Sequence, residues 1–169
     1  PTQSSTCAAA HVLDWVGCST GALRDPFAVV LGGLAAEAAA GACSALGHGA
    51  RTAEAALLRN AALGNLLEMD DVHRAATLHP GPIVIPAALA AAESEAADAG
   101  AFLDAVVRGY EATIRIGRAL GASHYRHWHT TSTAGAFGAA AATASIMGLG
   151  AQAIADAFGN AGIRAGGLW

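Results

Sequence analysis

The residues most able to do chemistry are concentrated in the stretch Leu67–Gly81, which reads LEMDDVHRAATLHPG. Only 13% of the chain is charged, yet this stretch combines a cluster of carboxylates with two histidines: Glu68, Asp70, Asp71, His73 and His79. Histidine titrates near neutral pH and can donate or accept a proton, and a neighbouring carboxylate can hold the imidazole ring. The stretch is therefore either an acid/base site or the solvated end of a helix, where acids are ordinary surface residues.

A second group of histidines, His124, His127 and His129, lies in the polar stretch SHYRHWHTTST. The spacing H-x-x-H-x-H is not that of a closed metal site, so no metal is expected, although a metal-binding helical protein remains an alternative. Two separate histidine-bearing junctions in so short a chain favour one shared pocket.

The composition excludes several classes of function. The net charge is −4, whereas a nucleic-acid platform needs a basic face. All nine cationic residues are arginine, so this chain offers no lysine for a Schiff base, a pyridoxal phosphate or a P-loop. Three cysteines, an odd number, favour a reduced, cytoplasmic protein, and Cys7 and Cys18 lie too far apart along one predicted helix to pair.

The elements that must position these residues are predicted to be helices nearly throughout. Alanine supplies most of the 54% hydrophobic content and only 5% of residues are aromatic, a composition that favours helix. Apolar periodicity and capping signals predict helices at about 5–22, 25–42, 52–70, 102–121, 133–147 and 151–160. A further helix is predicted to carry Pro86 in its first turn and to end near Ala97. No strand ladder is predicted, and the fold class is all-α.

Two stretches need a choice between interpretations. The uncharged stretch Thr130–Ala155 is long enough for a membrane span, but its alanine, glycine and threonine residues contribute little to insertion. A close-packed central helix is therefore predicted, and no membrane. The sequence GLGAQA, from Gly148 to Ala153, fits a dinucleotide fingerprint but has no preceding strand, so a glycine turn between two helices is predicted.

Three stretches resemble the MmgE/PrpD family: NAALGNLLEMDDVHRAATLHPGPIVIPAALAAAE, GYEATIRIGRALG and HWHTTSTAGAFGAAAATA. The family includes 2-methylcitrate dehydratase, cis-aconitate decarboxylase and iminodisuccinate epimerase. The resemblance implies a large all-helical domain with a smaller α+β lid domain, usually in a dimer. Because family members are well over twice as long, it also implies that residues 1–169 are a single all-helical domain that is incomplete and lacks the lid.

The acid-rich motif of the family reads approximately D-F-D-D-T, followed by a short loop and H-P. Its acids fall on Glu68, Asp70 and Asp71, and its histidine falls on His79. This chain departs from the motif at two positions, because Glu68 replaces an aspartate and Val72 replaces the threonine. In this interpretation the acid cluster is tolerated at the helix end because it organises His79 and a pocket.

The second family motif reads approximately H-P-T-G-T and falls on residues 129–133. Its histidine is His129 and its last threonine is Thr133, whereas Thr130 and Ser132 replace the proline and the glycine. The lysines and the tyrosine that help to line the family's pocket would lie beyond Trp169.

The resemblance and the residues together predict a lyase or isomerase that acts on a small polycarboxylate. The reaction would be dehydration, decarboxylation or epimerisation beside a carboxylate, with His79 and His129 as the catalytic acid and base. The expected substrate-binding residues are Glu68, Asp70, Asp71 and Thr133. The arginines that could attract an anionic substrate are Arg115, Arg118 and Arg126.

The same interpretation predicts the partners of the protein. A small carboxylate substrate is expected, with no cofactor, metal, nucleic acid or membrane, in a cytoplasmic homodimer. The alternative is a catalytically inactive, truncated helical module that serves interaction or oligomerisation.

Overall fold

The protein, seen as a computed structural model that describes residues 3–169, consists of helices and one small hairpin. The elements in chain order are α1 (Gln3–Ala22), α2 (Pro26–Glu37), β1 (Cys43–Ala45), β2 (Gly49–Arg51), α3 (Ala53–Asn65), α4 (Gly81–Ser94), α5 (Ala99–Tyr125), α6 (Thr130–Ile146) and α7 (Ala151–Arg164). A single 3-10 turn, Arg74–Ala76, lies between α3 and α4. The predicted all-α class is confirmed, since the described residues form only this short hairpin as sheet.

The core lies where α4, α5 and α6 pack together. Val84 and Ile85 of α4 and Val106 of α5 are almost completely buried there. Helices α5 and α6 approach each other closely at Gly109 and Gly138, because a Cβ at Gly138 would overlap Thr113 of α5 and a Cβ at Gly109 would crowd the Gly138 carbonyl of α6. The close-packed central helix predicted for the alanine-rich stretch is therefore confirmed.

Strands occur where none was predicted, at residues 43–51. β1 and β2 pair antiparallel, with Cys43 opposite Arg51. Gly47 and Gly49 at the turn have φ values of 78° and 68°, which glycine adopts without steric cost. The prediction of no strand ladder is wrong here because these two glycines permit a tight turn.

Three predicted helix boundaries are also wrong. Helix α2 ends at Glu37, because the chain then leaves the helix to reach the hairpin. Helix α3 ends at Asn65, so the acid cluster lies in a loop rather than on the helix end. Helix α4 begins at Gly81, and Pro86 lies inside it, where the proline leaves only the carbonyl of Pro82 without its helical donor.

The helix ends on either side of His124, His127 and His129 lie closer to their predicted positions. The predicted helix is interrupted at Gly121, as expected, because this residue has the non-helical angles φ 69° and ψ 178°; a second helical segment then continues α5 to Tyr125. Gly148, with φ 62°, begins the predicted glycine turn from α6 to α7. Within residues 3–169, no helix combines the length and the hydropathy needed to cross a membrane.

Candidate active site

The acid loop begins directly after α3 and contains one buried carboxylate. Glu68 has φ 52°, a left-handed backbone conformation that turns the chain away from the helix axis. Asp70 is only 6% exposed. The side-chain amide of Asn65, at the end of α3, donates to both Asp70 oxygens at 3.1 and 3.3 Å. This pair of contacts compensates part of the cost of burying the carboxylate.

His79 is held between this loop and α6, two residues before α4 begins. Its backbone N–H donates to the Thr131 hydroxyl at 2.9 Å. Its ring Nδ1 lies 3.0 Å from Oδ2 of Asp70. Nδ1 nevertheless forms no hydrogen bond of acceptable geometry with the described residues, so the contact is an ion pair only when the ring is protonated. Asp70 is thus placed to stabilise a protonated His79 ring.

The neighbouring Asp71 faces a different set of groups. Its Oδ1 accepts the backbone N–H of Gly81 at 3.0 Å, and its Oδ2 accepts the Tyr110 hydroxyl at 3.0 Å. Nδ1 of His11 lies 3.2 Å from the same Oδ2. Burial raises the pKa of Asp71 above its ordinary value, while its contacts with Tyr110, His11 and Gly81 act in the opposite direction.

The two histidine-bearing junctions face one cavity of about 690 Å³. The titratable residues that line it are Glu68, His79, Tyr125 and His129. Its remaining walls come from Ala61, Ala62, Asn65, Leu66, Pro82, Ile83, Thr131, Ser132 and Trp169. The shared pocket expected from the sequence is therefore present, while the roles of the lining residues stay predictions.

His129 lies immediately before α6 and is surrounded by aromatic rings. Its backbone N–H donates to the carbonyl of Gly167 at 2.6 Å. Its ring centroid is 4.9 Å from that of Trp169 and 6.5 Å from that of Tyr125. Its Nδ1 is buried and has no hydrogen-bond partner among the described residues. The His129 ring lines the cavity, and a buried ring nitrogen without a partner is an unusual feature of a folded protein.

Two predicted substrate-binding residues do not line this cavity. Asp71 makes the contacts given above, and Thr133 donates its hydroxyl to the carbonyl of Gly166 at 2.8 Å. The Thr133 hydroxyl also lies 3.0 Å from Nε2 of His124. Glu68 does line the cavity, and Asp70 reaches it through His79.

The predicted arginines lie outside the cavity as well. Arg115 is exposed and its Nε lies 2.7 Å from a carboxylate oxygen of Glu111. Arg118 lines a separate, smaller cavity of about 250 Å³, and Arg126 is exposed. No arginine of the described chain therefore lines the wall beside the two histidines.

Sequence reasoning missed several residues of the site, among them Asn65, Tyr125, Thr131 and Trp169. Thr131 could have been found, because it belongs to the second family motif. Asn65 and Trp169 carry no local signal, since their positions depend on where α3 ends and on how the C-terminal segment folds back. That segment is fixed by the indole N–H of Trp169, which donates to the carbonyl of Tyr125 at 2.9 Å.

The histidines His73 and His127 lie outside the cavity. Nδ1 of His73 accepts the N–H of Ala76 at 3.2 Å and so caps the short 3-10 turn. His127 is exposed. Across residues 3–169, no three histidine, cysteine or acidic side chains converge into a group that could hold a metal ion.

Comparison with known proteins shows the family to which the chain belongs. The profile described as the MmgE/PrpD N-terminal domain matches residues 1–169. The chain belongs to the MmgE/PrpD family.

Two relatives of this MmgE/PrpD chain come from filamentous fungi. It is 36% identical over 136 residues to cis-aconitate decarboxylase of Aspergillus terreus, a match that covers 76% of this chain and 28% of the relative. It is 35% identical over 138 residues to the cis-aconitate decarboxylase-like protein oryM of Aspergillus oryzae, covering 76% of this chain and 29% of the relative. The match thus spans less than a third of the length of these relatives.

Proposed function

We propose that the protein containing this chain is a lyase that acts on an aconitate-like small polycarboxylate by histidine acid/base chemistry. The observation that carries the proposal is the single cavity lined by both His79 and His129. The names of the relatives, cis-aconitate decarboxylase, support the substrate class and the decarboxylation reaction. Dehydration and epimerisation are the other reactions known in the family. Both begin by removing a proton from a carbon; dehydration then protonates the leaving hydroxyl, and epimerisation returns a proton to the carbon, so each also needs an acid/base group.

In the proposed mechanism, His79 delivers or removes the proton at the reacting carbon. Its Nδ1 faces Asp70, so Nε2 is the ring nitrogen left for the substrate. In a decarboxylation the bond to the leaving carboxylate breaks, its electron pair stays on the substrate, and a proton from the histidine completes the product. Asp70 stabilises the imidazolium form that carries this proton.

His129 is proposed as the partner of His79 on the opposite side of the substrate. Its ring lines the cavity, and when protonated it would donate a hydrogen bond to a substrate carboxylate. Glu68 is the acidic residue in the cavity lining, and we propose that it positions a substrate hydroxyl or a protonated carboxyl group. No cofactor or metal is needed for these steps.

The decisive experiment compares three matched histidine substitutions in the intact protein. His79→Gln and His129→Gln should each lower kcat with cis-aconitate by about 10²- to 10⁴-fold, the range expected for a lost general acid or base. His127→Gln changes an exposed histidine outside the cavity and should leave kcat unchanged. Wild-type turnover by both cavity variants would refute the assignment, and the product formed would separate decarboxylation from hydration and epimerisation.

A second function, self-association, is favoured by the outer face of α2. Phe27, Val29, Val30 and Leu34 on this helix are between 52% and 75% exposed. An apolar patch of this kind on a protein surface usually marks an interface. We propose that a second copy of the chain covers it in a homodimer. Sedimentation of the wild type beside a variant with Val29→Glu tests this, and an unchanged mass would refute it.

A further inference from the structure

Consecutive acids in the loop reach two different parts of the segment that carries His79. Asp70 approaches the His79 ring at 3.0 Å, while Asp71 accepts the N–H of Gly81, two residues further on, also at 3.0 Å. Pro80 lies between the two contacts and has a φ restricted by its ring. The position of His79 is therefore constrained from its C-terminal side by whatever holds Asp71.

The group that holds Asp71 comes from α5, outside the cavity of the two histidines. Tyr110 donates its hydroxyl to Oδ2 of Asp71 at 3.0 Å. Tyr110 lines a different cavity of about 370 Å³ between α1 and α5 and does not line the cavity of His79 and His129. Its hydroxyl is connected to the segment that carries His79 by its hydrogen bond to Asp71.

We propose that Tyr110 is a positioning residue, which fixes the Asp71 carboxylate on the Gly81 amide and thereby holds the His79 ring in place. The proposal rests on the proposed function for its catalytic consequence, but its structural consequence is independent of any reaction. It also reassigns Asp71 from substrate contact to the positioning of His79.

The fit around Gly81 supports this tight connection. A Cβ at Gly81 would overlap the carboxylate of Asp71 and touch the hydroxyl of Tyr110. The absence of a side chain thus lets the carboxylate approach the backbone amide at the start of α4. At that helix start the free amide and the helix dipole both favour a negative charge.

Tyr110 is in the protonation state that the arrangement needs. Burial first, and then the charge of Asp71, raise the pKa of Tyr110 above its ordinary value, so the phenol remains a hydrogen-bond donor at neutral pH. The groups that face the Asp71 carboxylate are His11 from α1, Tyr110 from α5, the Gly81 amide and the adjacent Asp70. Of the two side chains that can donate a hydrogen bond to Asp71, Tyr110 is half-buried, whereas the His11 side chain is 44% exposed.

The test is Tyr110→Phe in the intact protein, which removes one hydroxyl and keeps the ring. The matched control is Thr113→Val, which removes a buried hydroxyl from the same helix that donates only to the carbonyl of Gly109. Two readouts are needed: kcat and KM with cis-aconitate, and the ring signals of His79 in histidine-labelled protein. Those signals are identified by their loss in His79→Gln.

The expected result is a fall in kcat of about tenfold for Tyr110→Phe, with KM changed less than about twofold, because substrate binding is not touched. The His79 ring signals should shift or broaden, and Thr113→Val should change neither readout. Wild-type kcat and His79 signals in Tyr110→Phe would overturn the proposal. Equal losses of kcat in both variants, with unchanged His79 signals, would overturn it too, since they would report general destabilisation.

Absence of turnover in the wild type separates the two proposals. If the wild type does not turn over any aconitate-like acid, but Tyr110→Phe still shifts the His79 signals, the proposed function fails and the positioning role of Tyr110 stands. If neither turnover nor a shift of the His79 signals is observed, both proposals fail.

Discussion

The Asp70 carboxylate lies 3.0 Å from Nδ1 of His79, and its side chain is 1% exposed while that of His79 is 20% exposed. The acid is thus inside the protein and the histidine is between the acid and the cavity. A buried carboxylate is costly unless it is paired, and here its partners are the Asn65 amide and the His79 ring. The Asn65 amide thus holds the Asp70 carboxylate, which in turn contacts the His79 ring at the cavity.

Asp70→Asn should therefore impair chemistry more than binding. The substitution keeps the shape but removes the charge that stabilises a protonated His79, so kcat should fall by about 10²-fold, with a smaller change in KM. Asp104→Asn, an exposed acid on α5, is the matched control. Steady-state kinetics of both variants check this, and wild-type kcat in Asp70→Asn would show that Asp70 has no catalytic consequence.

Trp169 should affect substrate binding. Its ring forms a wall of the cavity, 4.9 Å from the His129 ring and 5.5 Å from the Tyr125 ring. Trp169→Ala should raise KM several-fold, because it removes this apolar wall, and should change kcat less. Leu168→Ala alters a neighbouring side chain that is 71% exposed and should leave KM unaltered. The same KM in both variants would contradict a role for the indole in binding.

The three cysteines should differ in their rates of alkylation. Cys7 is exposed, Cys18 is half-buried and Cys43 is buried, and all three are free thiols. Burial, followed by the negative charge of Asp14, raises the pKa of Cys18, which lowers the fraction of reactive thiolate. Peptide mass spectrometry after timed iodoacetamide treatment should show Cys7 modified first and Cys43 last. Faster labelling of Cys18 than of Cys7 would contradict this order.

His48 should make the stability of the fold depend on pH. Burial, followed by the positive charges of Arg59 and Arg51, lowers its pKa from the ordinary value of 6.5. The folded state therefore favours the neutral ring, so the stability that His48 contributes is present above 6.5 and is lost as the pH falls through the lowered pKa. Urea unfolding between about pH 7.5 and about pH 5 should show a smaller loss in His48→Gln than in the wild type. Equal losses in the two proteins would exclude His48 as a source of the dependence.

Most of the helices could be predicted from the sequence, because helices form from contacts between residues that are close along the chain. Alanine content, periodicity and capping residues predict the helices, and Thr52 does cap α3 with its hydroxyl. The hairpin was missed because β1 and β2 contain no β-branched residue, and only Gly47 and Gly49 signal the turn. The strand propensity of this stretch is weak, so the pairing of β1 with β2 depends on packing that the local sequence does not show.

The site was predictable only in part, for a physical reason. His79 and His129 were found from residue type and family motif, both of which are local. The divergence of Asp71 from Asp70 depends on a partner far along the chain, because Tyr110 lies 39 positions after Asp71. No window of neighbouring residues contains that information.

The contacts that close the cavity also have a consequence for how the protein folds. The His79 amide meets Thr131 across 52 positions of sequence, and the Trp169 indole meets Tyr125 across 44. Helices form from neighbours within a turn or two, whereas such distant pairings must first overcome the entropy of closing a long loop. Helical structure can therefore form before these distant contacts, whereas the cavity exists only once they have formed. After dilution from denaturant, the circular dichroism signal of the helices should recover first. Protection of the cavity residues by a bound ligand should appear later, because it requires the distant contacts to have formed.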